Sequence, residues 1–173
     1  MRNWWAVAVW LVVIRLESTD YASSTNTFGI AYSALSAIFG RLDPQVVLML
    51  NLVLRKCGHF IGYAILSLLV FLALKYTHRD RLRPALPRRW GSCLRDSWQL
   101  DWARIAVLFS LVTASFDEIH QTTLVSRTGT WRDVALDTAG AVLIQLLLYG
   151  YATHRMNIQR QNFAEEPEAS LTR

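Results

Sequence analysis

Charge is scarce in this chain of 173 residues: Asp, Glu, Lys and Arg make up 18% of it, where soluble domains carry about 25%. Glycine (8) and proline (4) are too few for a collagen-like or low-complexity chain, and a hydrophobic content of 53% excludes intrinsic disorder. Two cysteines, Cys57 and Cys93, cannot staple a small secreted scaffold. No internal repeat interrupts the pattern. The length then fits one ordinary domain or one small membrane bundle, and a mean hydropathy of +0.22 tilts the choice toward lipid. A net charge of +5 at first suggests nucleic acid, but the densest run of basic residues falls in a loop between apolar spans and no nucleic-acid motif is present, so that partner is rejected.

Apolar blocks too long for globular helices carry the organisation. Cys57 to Leu74 contains no Asp, Glu, Lys or Arg, and a bilayer core needs ~20 such residues at ~1.5 Å each, so a transmembrane helix is expected over about 57–75. Residues 103–124 form another span, apolar until Asp117, and 133–152 mirror it, polar near Asp137 and apolar after. The run Trp4–Ile14 is shorter and must borrow Arg15 to Thr19 to cross, giving a span over about 3–20. A cleavable signal peptide is the competing reading of that run; Trp4, Trp5 and Trp10, and the lack of a small-x-small pair after Ile14, favour a retained anchor.

Between the first two spans, Phe28, Tyr32, Leu35 and Phe39 recur at helical spacing, and Pro44 opens a second apolar stretch that ends at Arg55-Lys56. One or two short interfacial helices are expected there. Residues 76–102 form a basic loop whose Arg and Lys excess places it in the cytoplasm, hugging anionic membrane lipids. The polar tail, residues 154–173, is expected to be disordered and cytoplasmic. The fold class is therefore all-α, a four-helix transmembrane bundle with both termini inside. Cys57 and Cys93 then lie at opposite faces and cannot pair.

Depth arithmetic converts this topology into a candidate site. Counting from the inner boundary at ~1.5 Å per residue, His59, Lys56, Asp117, Gln121 and Asp137 all lie ~20–28 Å up, and Asp133 slightly higher. Within each helix the spacings agree: Lys56, His59 and Tyr63 face one way, as do Asp117, His120 and Gln121, and as do Asp133, Asp137 and Gly140. Glu118 sits about 100° round from Asp117 and is expected to face a different neighbour. Gly140, and Gly58 with Gly62, would let helices approach closely. The inner half of the bundle shows no comparable polar layer.

These residues resemble a known family. Arg55-Lys56-x-x-His59-x-x-x-Tyr63, Asp117-Glu118-x-x-Gln121, Arg127 and Asp133-x-x-x-Asp137-x-x-Gly140 are similar in order and gaps to the VanZ-like membrane domain, over roughly residues 1–153. The resemblance implies a small multi-pass protein of the bacterial cytoplasmic membrane. The family's namesake confers low-level resistance to teicoplanin, a glycopeptide that binds cell-wall precursors outside the cell. Asp137 departs from the pattern, since the family often has Asn there, and adds a charge.

Several functions compete for the layer. In the first, an envelope precursor or lipid headgroup is bound at the outer leaflet: Lys56 and Arg127 hold a phosphate or carboxylate, and Tyr63, Gln121, Asp133 and Asp137 complete the ligand-binding set. In the second, an intramembrane enzyme uses Asp117 or Glu118 as general base with His59 as acid or orienting partner, although no Ser or Cys stands in a convincing nucleophile setting. In the third, Arg55, Lys56, Arg127 and Arg132 simply cancel Asp117, Glu118, Asp133 and Asp137 in a closed, non-catalytic ion-pair network. A metal site built from Asp117, His120, His59 and Asp137 has only half of a bundle motif, so neither metal nor other cofactor is expected. A transporter ranks last, because no polar path is evident through the inner half.

Overall fold

A glycine, an aspartate and a proline in quick succession set the turn between the second and third helices. Gly40, at φ +80°, ends one helix with its N–H on Ser36 O; Asp43 Oδ1 then accepts the Gln45 N–H, and Pro44 is the first residue of the next helix. The computed structural model describes residues 4–19, 24–40, 42–82, 98–124 and 129–165. Among them the regular structure is helical throughout: α1 (Trp5–Glu17), α2 (Ser24–Phe39), α3 (Pro44–Leu82), α4 (Leu100–Thr122) and α5 (Trp131–Glu165).

Helix α3 is the hub. It packs against each of the other four, and α4 also packs against α5. Its 39 residues run unbroken through Arg55-Lys56, where a boundary between an interfacial helix and a span is expected from the sequence. The correction has a physical reason: Arg and Lys are good helix formers, and both side chains find partners on neighbouring helices, so the charges do not interrupt the backbone. Helix α2 stays separate, with Phe28 stacked on Tyr32 at a 5.9 Å centroid distance. At the other end α5 continues to Glu165, so residues 154–165, read as disordered, are helical. Their Arg, Met, Gln and Glu content supports a solvated helix. The rest of that tail, and the centre of the basic loop, lie outside the described residues.

Small residues bring the helices together. A Cβ built on Gly140 would lie 2.2 Å from Phe60 O, so α5 touches the α3 backbone there, as a glycine on that face allows. Ala103, Ala106, Ser110 and Ala114 form the buried stripe of α4 at spacings of three and four. Helix α1 docks on α3 through buried Val7 and Ile14 and through Trp10 Nε1, which donates to Gly62 O at 2.8 Å. Gly58, by contrast, faces open space and mediates no close approach.

Two helices are long and apolar enough to cross a membrane among the described residues: Pro44–His78 (mean hydropathy 2.1) and Trp131–Ile158 (1.5). Only 39% and 22% of their apolar windows are buried, whereas a core helix of a soluble protein hides most of its surface. Leu108, Phe116, Ile119, Leu146 and Leu147 on α4 and α5 also point outward. Such a surface fits hydrocarbon, not water.

Candidate functional site

The polar residues of α3, α4 and α5 do meet, and the end of α1 joins them. Asp117, fully inside, is the centre on α4: Ser18 Oγ donates to its Oδ2, Gln121 Nε2 donates to the same oxygen at 3.3 Å, and Arg15 Nη1 lies 3.6 Å from Oδ1. Gln121 in turn accepts from Arg55 Nη2 at 3.1 Å. The chain Arg55–Gln121–Asp117–Ser18 thus ties three helices together. The i, i+4 spacing of Asp117 and Gln121 puts both groups on one face of α4, which makes the relay possible.

A second set links α3 to α5. Lys56 Nζ pairs with Asp133 Oδ1, whose Oδ2 takes the Thr130 hydroxyl at 2.9 Å. One turn along each helix, His59 Nδ1 stands 3.6 Å from Asp137 Oδ2. Glu118 turns to a different neighbour, as its angle on α4 requires: Oε2 accepts the Thr130 N–H at 2.8 Å, beneath Gly129, where a Cβ would lie 2.5 Å from Glu118 O. Tyr63, buried completely, directs its hydroxyl among the carboxylates of Asp117, Asp137 and Glu118.

Not every polar atom in this cluster is satisfied. Tyr63 Oη, Asp137 Oδ1 and His59 Nε2 are buried and lack a hydrogen-bond partner. The charges are also sorted by depth. Asp117, Glu118 and Asp137 are at most 7% exposed, while the side chains of Arg15 and Lys56 are 54% and 58% exposed. The interior of the cluster is acidic and its rim basic. Beside it, a groove of about 460 Å³ runs between α1 and α4, walled by Leu11, Val12, Ile14 and Phe116 and ending at Arg15 and Asp117.

Of the residues singled out from sequence, Lys56, His59, Tyr63, Asp117, Glu118, Gln121, Asp133 and Asp137 come together; Arg127 lies outside the described residues. Arg132, counted in the expected charge balance, instead stacks on Trp131, 5.9 Å from its ring centroid. No group of three or more His, Cys, Asp or Glu arranged to hold a metal ion occurs among the described residues. Sequence reasoning missed Arg15, Ser18 and Thr130. A signal existed for Ser18: it continues the stripe Val7, Leu11, Ile14 at the same helical spacing. The half of the bundle toward Lys75 was also read too simply, since Gln145 Nε2 donates to Ser67 Oγ (2.9 Å) and Ser67 Oγ to Ala141 O (3.2 Å), a buried polar bridge between α3 and α5.

An all-helical membrane protein with a buried polar cluster between four helices is the class that this fold and site define. The VanZ/LLP1 family model matches residues 4–152, and the chain belongs to that family. No curated protein and no solved structure matches it. The family assignment covers every described residue of the cluster.

Proposed function

We propose that this VanZ-family membrane protein binds the polar headgroup of a cell-envelope lipid or lipid-linked wall precursor in the cluster at Asp117 and Asp137. The reading includes four crossings by α1, α3, α4 and α5, with both termini cytoplasmic and the cluster at the outer leaflet. One observation carries it. A closed ion-pair network that only fixed helix register would satisfy its own polar atoms, yet three of the six buried partnerless side-chain atoms among the described residues, Tyr63 Oη, Asp137 Oδ1 and His59 Nε2, fall in this one cluster. Unmatched buried groups cost about 1–3 kcal/mol each, so a ligand that supplies three partners gains that amount at each contact. Sequestering or altering exposure of a wall precursor is a route by which such a protein would change teicoplanin susceptibility.

The test compares envelope lipids and wall peptides by mass spectrometry, with and without the protein, and identifies what co-purifies with it. Tyr63→Phe should lose the co-purified molecule by about tenfold or more while melting no lower than the parent, because it deletes only an unsatisfied hydroxyl. Equal recovery from parent and variant sinks the binding reading. Topology is checked separately: Cys57 is exposed beside Lys56, so in Cys93→Ser an impermeant thiol reagent should label intact cells at Cys57.

A catalytic reading has one observation in its favour, the Ser18 hydroxyl donating to Asp117 Oδ2, which is how a nucleophile meets its base. Ser18 is fully buried, so a substrate reaches it only after α1 moves. A new lipid or wall product that disappears in Ser18→Ala and in Asp117→Asn would establish this second reading.

A further inference from the structure

We propose that the headgroup accepted here carries a primary ammonium close to a phosphodiester, on an amphiphile whose chain lies in the groove between α1 and α4. The inference rests on the headgroup reading above and adds the ligand's charge order, its donor count and its route of entry.

Charge order comes from the depth sorting. Three carboxylates, Asp117, Glu118 and Asp137, are buried; the basic groups reaching inward are the His59 imidazole and the half-buried Arg55, whose guanidinium donates to Gln121, while the guanidinium of Arg15 and the ammonium of Lys56 stand at the surface. A lone anion is repelled from that interior and gains only the rim. A cation enters it, and an anion following a short distance behind meets Arg15, whose fork geometry matches a phosphate. Arg15 is only loosely held by Asp117, at 3.6 Å, and keeps donors to spare.

Donor count comes from the unpartnered atoms. Asp137 Oδ1 is an acceptor; Tyr63 Oη, which has no hydrogen-bond partner, offers its lone pairs; and in the neutral imidazole with its proton on Nδ1 toward Asp137 Oδ2, His59 Nε2 presents a lone pair. Three acceptors in an acidic interior match the three N–H groups of a primary ammonium. A quaternary ammonium has the charge without the donors, and a hydroxyl headgroup has donors without the charge.

Entry follows from packing. Helix α1 docks on α3, and the groove between its Leu11–Arg15 segment and α4 has apolar walls and a polar end at Arg15 and Asp117. That is the polarity profile of an acyl chain attached to a charged headgroup. A molecule already in the bilayer reaches Arg15 and Asp117 sideways, without crossing water, and a shift of α1 lets its ammonium pass on to Tyr63, His59 and Asp137, which lie behind the groove's end.

The full-length protein, purified in detergent, is titrated with dioleoylphosphatidylethanolamine, the matching phosphatidylcholine and phosphatidylglycerol, and water-soluble glycerophosphoethanolamine, with occupancy read by native mass spectrometry. The ethanolamine lipid should be retained about tenfold or more over the other two, and Asp137→Asn and Tyr63→Phe should each erase that preference. The soluble compound should bind more weakly than its lipid, and Val12→Trp, whose indole fills the groove, should lower occupancy by lipid alone. Equal retention of choline and ethanolamine lipids overturns the ammonium assignment and leaves headgroup binding standing. Equal affinity for the lipid and the soluble compound overturns the groove. Failure to hold any of the four overturns this inference, whereas the function on which it rests falls only if nothing co-purifies differently between parent and Tyr63→Phe. The lipid comparison uses the parent protein, so it decides the matter even where a variant does not fold.

Discussion

Toward Lys75, the buried polar side chains of the bundle are handled locally or by the one helix opposite: Ser110 returns its hydroxyl to Ala106 O, and Ser67 and Gln145 bridge α3 to α5, with Gln145 Oε1 the acceptor left over. Toward Lys56, the same helices carry acids, bases and amides that reach across four elements, with three partnerless atoms close together. Both halves use small residues to draw the helices in. The difference lies in what the polar groups are for. Toward Lys75 all but Gln145 Oε1 match each other across a contact that packing has already made, while toward Lys56 three buried carboxylates face cations that stand mostly at the rim. Membrane-buried ionisable groups are costly and are retained where they act.

Packing supports both halves, so its disruption has the largest expected effect. Gly140→Ala places a methyl where Phe60 O already stands, at 2.2 Å from the built Cβ, and forces α5 away from α3. A loss of about 1–3 kcal/mol is expected, read as thermal unfolding in detergent. Little change would mean that α3 and α5 slide freely, and the comparison between a packed and a recognising half would dissolve. A smaller effect is expected in the half toward Lys75. Gln145→Leu removes the bridge but leaves Ser67 bonded to Ala141 O, and interhelical hydrogen bonds within membranes average only ~0.6 kcal/mol. Stability should shift by about that amount, with no change in what co-purifies. Loss of the ligand in Gln145→Leu would extend the functional site into the half toward Lys75 and erase the distinction.

Helical periodicity and the rise per residue made the layer legible: His59, Asp117, Gln121 and Asp137 fall at one depth because each helix advances by the same increment. The contribution of α1 escaped because its apolar run was judged for length alone, although Ser18 lies on the buried stripe of Val7 and Ile14 and Arg15 is one turn away. Arg55-Lys56 suggested a helix boundary, since charge at the edge of an apolar run usually marks one, whereas here the partners Gln121 and Asp133 let the helix run through. Pair assignments were the least accessible. Which cation meets which carboxylate depends on how far each helix is rotated and how closely it approaches, and that is set by contacts such as Gly140 on Phe60, which no single helix encodes. Lys56 accordingly meets Asp133, while Asp117 is taken by Arg15 and Ser18.

The Lys56–Asp133 pair offers the finest test of the contrast. Its ammonium is mostly exposed, and exposed pairs contribute ~0.2–1 kcal/mol, less at high salt. In a double-mutant cycle of Lys56→Met and Asp133→Leu, the coupling energy for unfolding should stay below ~1 kcal/mol and fall as salt is raised. Weak coupling means that Lys56 can leave Asp133 for a ligand anion without destabilising the helices, as a recognising rim requires. A coupling of ~3 kcal/mol or more, insensitive to salt, would instead mark the pair as a desolvated structural tie. Lys56 would then belong with Ser67 and Gln145 as a register-fixing contact, leaving Arg15 as the rim cation facing the groove.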